Sequence, residues 1–239
     1  MTERVLVTGG SQSIGRGIVQ RLLDDGYAVT ILDRAAPEPA IAARWVEVDL
    51  MDPAATDAAV RAALEDGPIT RVVHNVGHVR PNFLDETRLE DFDAVMALNV
   101  RTTIQITQAL LPGMRAAGQG RIVAISSRAA LGKELRTSYA ASKAALHGLV
   151  KTWALELARD GITANAIGPG SIDTPLWRAV NPSQDPRTQK ILDSIPAGRL
   201  GTPADIANAV AFFLDARSGF VTGQVLYVCG GLTVGSARA

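Results

Sequence analysis

Short β-branched runs separated by longer stretches of helical period constrain this chain more than any other feature. The runs fall at residues 4–7, 28–32, 45–48, 71–75, 121–126, 163–167 and 225–228. Between the first two, Ile14, Ile18, Leu22 and Leu23 form an apolar stripe at helical spacing that stops at Gly26. Further helices are predicted over 53–65, 89–115, 138–159 and 203–214, with a break near Asn99 or Pro112 in the long second one. Strands that alternate with helices need crossover connections, hence a mostly parallel sheet covered on both faces. Residues 122–125 fit this, being continuously apolar as a strand buried on both sides requires. The prediction is an α/β fold, a doubly wound parallel sheet of about seven strands. At 239 residues the chain is read as one domain spanning 1–239, because nothing in its composition marks a seam. Residues 173–199, with Pro175, Pro182, Pro186 and Pro196, are the least regular segment, expected to be a flexible lid over a substrate or a disordered loop.

Composition excludes several functions. Basic and acidic side chains balance at 24 each, whereas a nucleic-acid binder needs a positive excess to release counterions. A single cysteine, Cys229, can form neither an internal disulfide nor a cysteine-based zinc site. His74 and His78 are four apart but fall at a strand end and a loop, short of the ligands a zinc ion requires, so no metal is expected. No Gly-x-Ser-x-Gly elbow supports a Ser-His-Asp hydrolase. The start of the chain does not read as a signal peptide, and its longest apolar runs, such as 209–214, cannot span a bilayer. A soluble, cytoplasmic protein without membrane partners is expected.

The turn Thr8-Gly9-Gly10-Ser11-Gln12-Ser13-Ile14-Gly15 joins the first strand to the first helix. Glycine allows backbone angles and close approaches that other residues forbid. The helix that follows offers unpaired N–H groups and a positive dipole end to a pyrophosphate. Asp33 ends the second strand, where a carboxylate can accept hydrogen bonds from adenosine ribose hydroxyls. It would repel a 2′-phosphate, favouring NAD over NADP, while the guanidinium of Arg34 pulls the other way.

Tyr139-Ala140-Ala141-Ser142-Lys143 lies early in a predicted helix, and a spacing of four puts Tyr139 and Lys143 on one face. A free phenol, with a pKa near 10, is a poor base at neutral pH, and a neighbouring ammonium lowers that value. Spacing alone fits an ordinary surface pair equally well. Joined to the glycine turn and to Ser126-Ser127 closing the preceding strand, however, the pair makes the sequence resemble the classical short-chain dehydrogenase/reductase family over essentially its whole length. Within that family it is similar to 3-oxoacyl-carrier-protein reductases and to NAD-linked secondary-alcohol dehydrogenases. Asp49-Leu50 matches the family's adenine contact, and Asn75-Val76-Gly77 its Asn-Ala-Gly run. Asn99 matches a helix asparagine of a water-mediated proton relay, and Pro169-Gly170-Ser171-Ile172-Asp173-Thr174 the run that faces the nicotinamide.

The resemblance implies a Rossmann-type fold and an NAD(P)-dependent interconversion of a secondary alcohol and a ketone. Ser127 would bind the substrate oxygen, Tyr139 would move the proton, and Lys143 would lower its pKa and hold the nicotinamide ribose. Asn99 would complete the relay. Gly9, Ser11, Gln12, Ser13, Ile14, Gly15, Asp33 and Arg34 would hold the cofactor together with Asp49, Leu50, Asn75, Val76 and Gly77. Pro169, Gly170, Ile172 and Thr174 would border its reactive end. A sensor or scaffold that binds a dinucleotide without catalysis is the alternative.

Some positions depart from the family. Counting back from Tyr139 by its usual interval lands on Ser126, whereas alignment through the strand selects Ser127. Ser13 replaces a common glycine, Val76 an alanine, and Cys229 an aspartate. Arg80, Arg128, Lys133, Arg136 and Arg178 flank the proposed site, suiting either an anionic or carrier-linked substrate or merely solvated loops. The resemblance also implies a homotetramer or homodimer, for which Leu146, Leu149, Val150 and Trp153 offer either a contact face or monomer core.

Overall fold

A computed structural model describes residues 2–235. Seven strands, β1 (Arg4–Thr8), β2 (Ala28–Asp33), β3 (Arg44–Glu47), β4 (Arg71–His74), β5 (Gly120–Ile125), β6 (Ile162–Pro169) and β7 (Val225–Val228), lie within a residue or two of the apolar runs. They form one parallel sheet in the order β3-β2-β1-β4-β5-β6-β7. Val5, Leu6 and Val7 are fully buried, as expected of a central strand covered on both faces.

The helices are α1 (Ser13–Asp24), α2 (Pro53–Leu64), α3 (Leu89–Met96), α4 (Thr102–Ala116), α5 (Thr137–Leu157), α6 (Pro175–Val180), α7 (Pro186–Asp193) and α8 (Pro203–Leu214). On one face of the sheet, Leu6 and Ile122 pack with Leu110 of α4 and Leu146 of α5. On the other, Val5 and Val7 pack with Ile18 of α1 and Phe213 of α8. Leu146 and Val150 are buried in the first of these clusters and serve the monomer core, whereas Leu149 and Trp153 pack against it and stay half-buried. The outward apolar residue on α5 is Leu155, 87% exposed.

The chain winds outward from β1 to β3, returns beside β1 as β4, and then winds outward to β7. The crossovers on either side of β1 and β4 diverge, opening a crevice beyond the carboxyl ends of those two strands. The break in the long helical stretch falls at Asn99. Residues Ala97–Arg101 form a π-helical turn between α3 and α4, whereas Pro112 sits inside α4 without ending it.

The segment 173–199 corrects the expectation of a disordered loop. Two of its four prolines stand at helix starts: Pro175 follows the cap Thr174, whose hydroxyl accepts from Trp177 N, and Pro186 follows Asp185, whose carboxylate accepts from Arg187 N. Proline suits the first helical position because its missing N–H would have no partner there. The pairs Thr174-Pro175 and Asp185-Pro186 were therefore start signals rather than irregularity.

His74, at the end of β4, is buried within the core. Thr107 Oγ1 donates to the Thr103 carbonyl at 2.8 Å, so it accepts from Nε2–H of His74 at 2.9 Å. Nδ1 has no hydrogen-bond partner among the described residues. Burial pushes the imidazole pKa down to about 3. The unfolded chain takes up this proton below pH 6.5 while the folded chain refuses it, so stability falls as pH drops from 6.5 toward 3. The full loss is roughly 5 kcal/mol. Urea denaturation across this range is expected to show a declining midpoint, and His74→Leu is expected to flatten the slope.

Candidate active site

The crevice is built by one hydroxyl. Thr8 Oγ1, at the end of β1, accepts from the backbone N–H of both Asn75 (3.0 Å) and Val76 (3.1 Å), which follow β4. Asn75 Nδ2 returns a bond to the Gly9 carbonyl at 2.8 Å. A β-carbon on Gly15 would lie 1.9 Å from that carbonyl oxygen and 2.6 Å from Asn75 Nδ2, so only glycine fits there. Ser13 takes a left-handed backbone (φ +50°) where the family commonly has glycine, at a cost of about 1–2 kcal/mol.

Gln12, the residue before α1, makes no side-chain cap, leaving the first-turn N–H groups without a side-chain acceptor. They adjoin a cleft of about 510 Å3. Gly9, Gln12, Ser13, Ile14 and Gly15 line its floor, Asp33, Arg34, Asp49 and Leu50 one wall, and Asn75, Val76 and Gly77 another. This cradle of close backbone and open amides fits a dinucleotide. Ser11 stands apart from the other predicted contacts. It is fully buried, its hydroxyl donates to the Ala35 carbonyl (2.6 Å), and its N–H donates to Asp33 Oδ2 (3.0 Å). It therefore aims the Asp33 carboxylate from behind the wall.

Next to this cleft, and sharing Ile14, Asn75, Gly77 and Thr174 with it, lies a second of about 460 Å3. Ser127, Tyr139, Lys143, Pro169, Gly170 and Ile172 line it. The two serines separate cleanly by their hydrogen bonds. Ser126 Oγ is buried, donates to the Lys143 carbonyl at 2.9 Å and accepts from His147 Nε2 at 2.8 Å, so it has no proton to offer. Ser127 Oγ accepts from Ala129 N at 3.1 Å, lines the cleft with Tyr139, and commits its own proton to no acceptor among the described residues.

Lys143 is 3% exposed; its ammonium donates to the Ile125 carbonyl at 2.7 Å and lies 5.7 Å from the Tyr139 ring centre. Burial lowers its pKa to about 8, which leaves it charged at neutral pH. Burial pushes the Tyr139 phenol up, while the neighbouring Ser127 hydroxyl and the Arg136 charge pull it down.

The Asn99 side chain is fully committed. Oδ1 accepts from His78 N (2.8 Å), and Nδ2 donates to the His78 carbonyl (3.0 Å) and to Ser142 Oγ (2.9 Å). It ties the loop after β4 to α5 beneath Tyr139. Val79 from that loop, which no motif signalled, lines the cleft together with Trp177 and Val180 of α6 and Ile191 of α7, which belong to the segment expected to cover a substrate. Among the described residues no cluster of three or more His, Cys, Asp or Glu could hold a metal ion.

Comparison with known proteins agrees with this geometry. A family model described as enoyl-(acyl carrier protein) reductase, within the short-chain dehydrogenase/reductases, matches residues 9–233. The (2S)-[(R)-hydroxy(phenyl)methyl]succinyl-CoA dehydrogenase subunit BbsD of Thauera aromatica is 39% identical over 95% of this chain and 94% of its own. The 3-oxoacyl-[acyl-carrier-protein] reductase MabA of Mycobacterium bovis is 36% identical over 98% and 94%. A gluconate 5-dehydrogenase from Burkholderia cenocepacia, solved with NADP and tartrate, superposes with a TM-score of 0.89 at 33% identity, covering 98% of this chain and 96% of that one. With its glycine cradle, its serine, tyrosine and lysine on one cleft and these relatives along its full length, the chain belongs to the short-chain dehydrogenase/reductase family and is an NAD(P)-dependent oxidoreductase that interconverts a secondary alcohol and a ketone.

Proposed function

We propose that Tyr139 moves the proton, with Ser127, Lys143 and Asn99 as its partners. The observation that carries this reading is that Ser127, with its proton uncommitted, lines one cleft with Tyr139, whose ring lies 5.7 Å from the buried Lys143 ammonium. When bound, the nicotinamide supplies or accepts the hydride. The chain's own groups manage the substrate oxygen. Ser127 donates to it, Tyr139 gives it a proton or takes one away, and the Lys143 charge stabilises the phenolate as it forms. Asn99 holds His78 and Ser142 so that α5 presents Tyr139 at a fixed height. Residues 173–199 act as the lid over this cleft, with Trp177 and Val180 on its inner side.

NAD is the preferred cofactor, because the Asp33 carboxylate, aimed by Ser11, borders the wall where a 2′-phosphate would sit. Arg34 on the same wall opposes this preference, and the related gluconate 5-dehydrogenase was solved with NADP. A 3-oxoacyl substrate is one fit, given the related 3-oxoacyl reductase. The chain works as a homotetramer or homodimer in the cytoplasm. Support for assembly comes from β7, which ends the sheet with an open edge, and from exposed Phe212 and Phe220 nearby in sequence.

Tyr139→Phe is expected to lower kcat for alcohol oxidation by about 10²–10⁴-fold while cofactor binding, followed by fluorescence titration, stays intact. Undiminished turnover would favour the non-catalytic sensor. Lys143→Met removes a charge that favours the phenolate, so the pH at which oxidation reaches half its plateau should rise by about one unit or more. A superimposable pH–rate profile would remove Lys143 from that role. For the cofactor, kcat/KM with NAD should exceed that with NADP by about tenfold or more, and Asp33→Ser should close the gap. A wild-type preference for NADP would overturn the assignment.

A further inference from the structure

Of the five cations that flank the site in sequence, the fold neutralises two. Arg80 pairs with Asp91 at 3.5 Å, and Arg178 grips Asp173 through Nε and Nη2 at 2.6 and 2.8 Å. Arg128, Lys133 and Arg136 have no carboxylate within ion-pair distance among the described residues. All three line the substrate cleft, and no aspartate or glutamate lines it with them. They come from one short segment. Arg128 directly follows Ser127 and opens the 3₁₀ turn Arg128–Leu131, while Arg136 sits at the N-terminal boundary of α5, three residues before Tyr139. The loop thus sets three like charges around the reacting groups.

Like charges held together in a partly desolvated cleft repel, and an anion relieves them. Lys133 stands exposed at the rim of this cleft, where partial desolvation and the charges of Arg128 and Arg136 hold its ammonium below the usual lysine range. The same cleft has an apolar lining from a different segment of the chain, Trp177 and Val180 of α6 and Ile191 of α7. Building on the proposed roles of Ser127 and Tyr139, we infer that Arg128, Lys133 and Arg136 form a carboxylate clamp, selecting a secondary alcohol or ketone that carries a free carboxylate close to its reacting carbon and an apolar group on the other side. The phosphates of a carrier could supply the same anionic oxygens. The substrate's own carboxylate is the better match, because the cations adjoin Ser127 and Tyr139 in the chain and the Arg136 charge is felt at the phenol itself.

The test compares 3-hydroxy-3-phenylpropanoate with its neutral amide, oxidised by the full-length enzyme with saturating NAD or NADP. The acid should show a kcat/KM about tenfold or more above the amide, and Arg136→Gln and Lys133→Gln should each pull that ratio toward one. A parallel measurement needs no turnover: with cofactor bound, phenylsuccinate should raise the melting temperature more than phenylsuccinamide, and the difference should shrink in both variants. Equal handling of acid and amide in both measurements overturns the clamp. If that equal turnover still collapses in Tyr139→Phe, the proton-transfer reading stands without it. If turnover survives Tyr139→Phe, that reading fails while the binding measurement still decides the clamp. The coenzyme A thioester of the same acid forms the third arm. A thioester preferred over the free acid, with the preference lost in Arg136→Gln, would reassign the cations to a carrier phosphate and overturn the carboxylate assignment.

Discussion

Thr8 laces together the loops that leave the carboxyl ends of the neighbouring strands β1 and β4. Its hydroxyl accepts from two consecutive backbone amides beyond β4, and Asn75 answers with a bond to the Gly9 carbonyl. This lacing lies where the sheet reverses its winding, so the crevice opened by topology becomes a shaped cleft. Every later element takes its position from it. Gly15 can start α1 only because it lacks a β-carbon that would strike the laced carbonyl. Gly77, two residues beyond Asn75, leaves the room in which the Lys143 ammonium lies; a β-carbon there would sit 3.1 Å from Nζ. The family's Asn-Ala-Gly motif, read as cofactor contact, is thus also the fastening of the cofactor turn.

Burial sets the electrostatics of the site. It lowers the lysine, raises the tyrosine, and makes each hydrogen bond to them count for more than it would in water. Ser126 and His147 secure the Lys143 end of α5 against β5, and the His147 ring meets Tyr227 of β7 edge-on at 6.2 Å. Asn99 does the same from the opposite side through Ser142. The π-helical turn carrying Asn99 places that amide between two elements that a straight helix would leave apart.

Legibility in the sequence varied with the kind of interaction involved. Strand and helix existence followed from periodicity, which is a local property, and ends differed by a residue or two where pairing partners decided them. The break at Asn99 was left between two positions, because proline is the louder local signal although the tertiary bonds of Asn99 decide the matter. The 173–199 segment was misread because its prolines were weighed without the capping residues in front of them. Ser11 belonged to the right motif, but its side chain turned inward to orient Asp33. Leu146 and Val150 could have faced a partner or the core, and only the sheet behind α5 settles which.

The sequence by itself determined the alternation of strands and helices, the glycine turn and the Tyr139–Lys143 spacing, because each depends on neighbours within a few residues or on a repeating period. Tertiary structure decided which serine keeps a free proton, since that turns on His147 and the Lys143 carbonyl, both remote in the chain. It also decided which cations of the rim stay unpaired, since Asp91 and Asp173 reach two of them and, among the described residues, no carboxylate reaches the other three. Hydrogen-bond saturation and charge compensation belong to a place in space. A sequence lists the groups, but only the fold shows which of them are already spent.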